Sequence, residues 1–174
     1  LFNQRGPRAP VIFSAAMLKQ FYEKLLPTQG NYCICGIDED ERVYPTFAND
    51  LDGLERAVEK FKRRNLNIYV TPATFKGTER KQKDALFVKS LFLDLDVRDG
   101  APSKKHYGSK DDAHKALDDF IKKAELPTPV RVDSGRGIQA YWIFSTAVPA
   151  DKWKRLADRF KNICRELELK MDPA

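Results

Sequence analysis

Histidine and cysteine are scarce in this chain, two of one and three of the other among 174 residues. Cys33, Cys35 and Cys164 include no C-x-x-C pair, and His106 and His114 are not at zinc-ligand spacing to them, so no zinc is expected. An odd count of thiols offers no disulfide framework. Cys33 and Cys35, two apart on a strand, read as small buried hydrophobes in a reducing compartment, as does Cys164 on a helix. Long apolar runs are missing too. No stretch approaches the roughly 20 apolar residues of a membrane span, and the first residues lack the basic, apolar, small-residue order of a signal peptide. The expectation is a cytoplasmic protein with no membrane partner. Internal repeats and low-complexity segments are also absent.

What is present suffices for a core, since 42% of the residues are hydrophobic. The formal charge of +6, from 31 basic and 25 acidic side chains, has the sign that favours a polyanionic partner, although charge alone decides nothing. The chain begins at Leu1 and stops at Pro173-Ala174 just after a helix-like segment, as an excised piece of a longer polypeptide would.

Periodicity predicts a helix near Ala15 to Leu26, stopped by Pro27, and a strand from Tyr32 to Ile37. An acidic turn then leads to a strand over Arg42 to Phe47. Asp50 or Asp52 can cap a helix striped by Leu54, Ala57, Val58 and Phe61, and Leu66 to Thr71 reads as a strand. Residues 76–84 form a basic, glycine-containing linker or substrate-facing loop. From Leu86 the order is strand (Phe87 to Val97), helix (Lys110 to Glu125), strands (Val130 to Ser134 and Ile138 to Phe144), helix (Pro149 to Leu167) and a strand beginning at Leu169 to Met171. That β-α-β-β-α-β order is ferredoxin-like or RRM-like, with the first and third strands central and the fourth beside the first. The predicted class is α/β in the α+β sense: an N-terminal αβ module over 1–85, an RRM-like sheet over 86–174 truncated at its C-terminal end, and a site in the cleft between them.

The run Leu91-Phe92-Leu93-Asp94-Leu95-Asp96-Val97 puts two carboxylates on one face of an otherwise apolar strand. Strand interiors are depleted in Asp, and two like charges so close raise each other's pKa unless a cation sits between them. The plain alternative is that Asp96 ends the strand and Asp94 caps a turn. Asp172, at the entry to the fourth strand, would complete a cluster of hard oxygen ligands for Mg²⁺ or Mn²⁺, in a two-ion site suited to nucleotidyl transfer. It is equally an ordinary acid before Pro173. Ser134-Gly135-Arg136-Gly137 forms a tight turn whose N–H groups, hydroxyl and guanidinium could face a triphosphate, though a hairpin needs glycine for backbone reasons alone. Beyond the turn, alternation puts Gln139, Tyr141 and Ile143 on one face and Ile138, Ala140, Trp142 and Phe144 on the other.

Together these runs resemble the archaeo-eukaryotic primase superfamily, especially the primase-polymerase domains of phages and other mobile elements. The marks are Phe92-Leu93-Asp94-Leu95-Asp96, the basic loop with Tyr107 before an Ala-rich helix, Pro127-Thr128-Pro129 leading into Ser134-Gly135-Arg136-Gly137, and Tyr141-Trp142. The resemblance spans about Ile68 to the end. It implies a DNA primase or primase-polymerase, a nucleotidyltransferase that copies single-stranded DNA from NTP or dNTP. Asp94, Asp96 and Asp172 would be catalytic residues and ligands of Mg²⁺ or Mn²⁺, and Ser134, Arg136, Gly137, Gln139 and Lys105 would contact nucleotide. The family usually carries His within an s-x-H motif where Gln139 stands, so an amide replaces a protonatable contact. The chain ends before the R-x-P-G-T-x-N-like region of such proteins, which leaves this piece open to being inactive alone. The resemblance further implies a helicase domain in the full-length protein and, for a viral source, the host cytoplasm. Arg80, Lys81, Lys104 and Lys105 are further phosphate or template candidates, each equally a solvated charge.

Three other readings share some of these residues. The D-x-D strand looks like the first motif of haloacid-dehalogenase-type phosphotransferases, with nucleophile and general acid, but those need a parallel sheet. A glycosyltransferase would hold metal and nucleotide sugar at the D-x-D and leaves Ser134 to Tyr141 without a role. A non-catalytic RRM-like module would bind nucleic acid through stacking aromatics on its central strands.

Overall fold

The computed structural model describes residues 15–103 and 105–171. Among these the protein is an α+β fold of four helices and one open, antiparallel six-stranded sheet. In chain order the elements are α1 (Ala15–Leu25), β1 (Asn31–Ile37), β2 (Val43–Ala48), α2 (Leu51–Arg63) and β3 (Asn67–Phe75). After a single 3₁₀ turn come β4 (Ala85–Asp96), α3 (Lys110–Lys123), β5 (Val130–Asp133), β6 (Gly137–Pro149) and α4 (Ala150–Glu166). The strands lie in the order β2-β1-β3-β4-β6-β5.

Local sequence accounts for most boundaries. Asp50 caps α2 by accepting from the Gly53 N–H at 2.6 Å, and the Ser109 hydroxyl caps α3 through the Asp112 N–H at 3.1 Å. The stripe Leu54, Ala57, Val58 and Phe61 buries α2 against Tyr32 and Ile34 of β1, with α1 contributing Leu18 and Tyr22. A second cluster joins Leu93, Leu95, Ile138, Ala140 and Trp142 of β4 and β6 to Ala113, Leu117 and Phe120 of α3 and Phe160 and Cys164 of α4. Cys33, Cys35 and Cys164 are buried free thiols, and burial pushes Cys33 and Cys164 up to about 12.

Two expectations are corrected. The place beside β4 that a ferredoxin-like order reserves for a fourth strand is held over Ala85–Val88 by β3, so one sheet runs through both halves of the chain. Residues 169–171 form no strand. The Leu169 N–H closes α4 on the Cys164 carbonyl at 2.9 Å and the Lys170 N–H donates to the Tyr107 hydroxyl at 3.1 Å, so these donors are spent before a ladder can use them.

β4 and β6 are longer than their apolar runs suggest, and their pairing shifts between Val88 and Ser90, where β6 carries the extra residues of the pair. Past this irregularity the register is regular from Ser90↔Ile143 to Asp96↔Gly137.

Candidate metal and nucleotide site

Asp94 and Asp96 occupy the last turn of the pleat of β4, with Leu93 before them and Leu95 between them packed into the core under α3 and α4. Alternation therefore turns both carboxylates to the opposite face. Asp94 lies directly across from Gln139 and Asp96 across from Gly137. Gln139 Nε2 donates to Asp94 Oδ2 at 3.2 Å, and the Tyr141 hydroxyl donates to Gln139 Oε1 at 2.8 Å. Burial raises the Tyr141 pKa, and the Asp94 and Tyr22 groups add to the shift, so this phenol keeps its proton across the neutral range.

The rings beside this chain of bonds close the face on one side. Phe21 of α1 meets Tyr141 edge-on at 5.5 Å, Phe92 lies 6.2 Å from Tyr141, and Trp153 of α4 stacks on Phe92 at 6.1 Å while its Nε1 donates to the Ser90 carbonyl. Asp96 ends the strand half-exposed; its carbonyl accepts from the Tyr107 N–H at 2.9 Å, and the next residue, Val97, donates to the Arg136 carbonyl at 2.8 Å. Both arms of the site are thus tied to β4 by backbone bonds.

The Ser134–Gly137 turn is built by its glycines. Gly135 has φ of +84°, and a Cβ on Gly137 would stand 2.2 Å from the Leu95 carbonyl oxygen. Asp133 anchors the turn, accepting from the Gly135 N–H at 2.8 Å and from Lys110 Nζ at 2.7 and 2.8 Å. The Lys110 bond, then the Gly135 bond, hold the Asp133 carboxyl below the usual carboxylate range. A depressed pKa contributes stability above that range and loses it as pH falls through the folded value. Asp133→Asn should cost about 0.5–1 kcal/mol at neutral pH, since the pair is half-exposed and screened. Thermal melts should show the gap to wild type closing in acid; a gap that persists at about pH 2 would contradict this assignment.

The structure brings Asp94, Asp96, Gln139 and Gly137 together, with Ser134 and Arg136 exposed on the adjoining turn. Lys105 is exposed on the loop that follows β4. Arg80 and Lys81 sit in the β3–β4 connection at the far end of β4, roughly 30–35 Å along the strand, and Lys81 is paired with Glu79. Those two do not belong to this site. Asp172 and Lys104 lie outside the described residues. Among the described residues no three His, Cys, Asp or Glu side chains form a metal-ligating group. The paired carboxylates are nonetheless hard oxygen donors of the type Mg²⁺ and Mn²⁺ take, and they fit such an ion with ligands added from substrate and water.

Sequence reasoning left Tyr141 and Phe21 out of the site. Alternation already put Tyr141 on the face of Gln139, so its hydroxyl was findable; Phe21 arrives from a distant helix and carried no sequence signal. Comparison with protein-family models, curated proteins and solved structures finds no match. Among the described residues no helix is long and apolar enough to cross a membrane.

Proposed function

We propose that this chain is a primase-polymerase-type nucleotidyltransferase domain, related to the archaeo-eukaryotic primases. One observation carries the reading: two carboxylates share a face in the last, otherwise apolar run of a central strand, Leu91 to Asp96, and the adjoining hairpin turn presents Ser134 and Arg136. Asp94 and Asp96 would hold Mg²⁺ or Mn²⁺, with Asp172 as a further ligand. Bound there, such ions lower the pKa of an attacking hydroxyl and neutralise charge on the departing phosphates.

In the reaction, the 3′-hydroxyl oxygen of a primer or initiating nucleotide bonds to the α-phosphorus of an NTP or dNTP. The bond from that phosphorus to the bridging oxygen breaks, pyrophosphate leaves, and the hydroxyl proton passes to solvent. Arg136, exposed on the turn whose Gly137 pairs with Asp96, would bind the triphosphate, and the Ser134 hydroxyl would hydrogen-bond it. In the proposed architecture β4, α3, β5, β6 and α4 are the RRM-like part, and α1 and α2 would wall the other side of a cleft. Single-stranded template would be held electrostatically, so its binding should weaken steeply with salt. A helicase region in the full-length protein belongs to the same proposal.

The antiparallel sheet lacks the parallel strands on which a haloacid-dehalogenase-type reaction depends. The aromatic residues on the D-x-D face, Phe92 and Tyr141, are engaged with Trp153 and Phe21, which weighs against a module that stacks bases there. The test is incorporation of labelled nucleotides on primed and unprimed single-stranded DNA with Mn²⁺, alongside Mn²⁺-dependent nucleotide binding. Incorporation on the unprimed template supports priming despite Gln139. Absence of both binding and incorporation overturns the proposal.

A further inference from the structure

We infer that Tyr141 is a positioning residue that fixes the amide of Gln139, so that Gln139 serves the Asp94 carboxylate rather than a substrate phosphate. The inference rests on the reading of Asp94 as a metal ligand and deepens it.

The argument is one of donors and acceptors. An ionised carboxylate only accepts, so Gln139 must turn its NH₂ towards Asp94 to bond with it. That leaves Oε1 pointing the other way, where the Tyr141 hydroxyl donates to it at 2.8 Å. The two bonds are mutually consistent only in this orientation: a flipped amide would set Oε1 against the Asp94 oxygen and lose the 3.2 Å contact. The amide carbonyl is therefore occupied, and one N–H is committed to Asp94 Oδ2. Gln139 and Tyr141 are next-but-one neighbours on the same face of β6, and Gln139 is the cross-strand partner of Asp94, so the backbone register sets the chain of bonds. Phe21 and Phe92 press on the Tyr141 ring and hold its hydroxyl in place.

The consequence is chemical. A hydrogen bond to Oδ2 orients the carboxylate, as outer-shell partners of metal ligands do. Gln139 then does the orienting work, and the phosphate contact falls to Arg136 and Ser134.

Tyr141→Phe removes the hydroxyl and keeps the ring, so the contacts with Phe21 and Phe92 survive. Its dissociation constant for Mn²⁺, read by electron paramagnetic resonance of the free ion, should rise about tenfold. In nucleotide incorporation the loss should recover at high Mn²⁺ with the KM for nucleotide within about twofold, whereas a merely structural defect would lower the melting temperature and leave metal dependence unmoved. The side-chain amide signals of Gln139 in ¹⁵N-labelled protein give a readout independent of metal and should shift in Tyr141→Phe. Unmoved amide signals would overturn the inference, as would unchanged Mn²⁺ affinity in a protein that binds Mn²⁺. If the unaltered protein binds no Mn²⁺, the metal-site reading falls and the amide signals alone decide the Tyr141–Gln139 arrangement.

Discussion

Asp94→Asn/Asp96→Asn should abolish metal-dependent nucleotide incorporation, by about 10³-fold or more, while the protein melts at or above the temperature of wild type. Losing several kcal/mol of charge stabilisation at the reacting phosphates corresponds to that factor, at about 1.4 kcal/mol per decade. The fold should not suffer. Asn keeps the shape of Asp, its carbonyl oxygen still accepts from Gln139 Nε2, and two like charges on one face of a strand are removed. Asp96 contributes through its backbone, whose carbonyl bond to Tyr107 the substitution leaves intact. Incorporation within tenfold of wild type in a folded double variant would remove these residues from the chemistry. A fall in melting temperature of more than about 5 °C would show that the carboxylates are structural instead.

The second large effect is on stability. Gly137→Ala places a methyl carbon 2.2 Å from the Leu95 carbonyl oxygen, and the Leu95 carbon and Asp96 Cα stand only 3.1 and 3.2 Å away. These are backbone atoms of a paired, buried strand, so no side chain can swing aside. Relief requires β6 to move off β4 at the Asp96↔Gly137 pair. A cost of about 3 kcal/mol or more is expected, which for a chain of this length is a drop of roughly 6–12 °C in melting temperature. A shift under about 2 °C would show that the strands part more easily than this packing implies. Gly135→Ala meets no neighbouring atom and suffers only its positive φ, so it should cost far less. The contrast separates the two glycines of Ser134-Gly135-Arg136-Gly137: one shapes the turn, the other lets two strands close behind the carboxylates.

Much of this was legible because local rules dominate where elements begin and alternate. The stripe of α2 and its Asp50 cap, the alternation of Leu93 and Leu95 with Asp94 and Asp96, and the placing of Gln139 opposite Trp142 all follow from period and capping chemistry. Position along a sheet is another matter. That β3 would take the place beside β4, and that Leu169 and Lys170 would spend their N–H groups on α4 and Tyr107, depend on contacts between residues far apart in sequence. The basic residues of 76–84 read equally well as site or surface because charge has no period; the β3–β4 connection then carries Arg80 and Lys81 to the far end of the strand.

The two rims of the sheet bear on how copies of this protein meet at high concentration. The outermost strand on one side, β2, carries Pro45, which has no N–H to offer an incoming strand. The one on the other side, β5, is only four residues long, and its Arg131 and Asp133 are drawn to Asp118 and Lys110 of α3. Neither of these two outer strands is a good template for extending the ladder into a neighbouring molecule, the edge-to-edge growth that begins many aggregates.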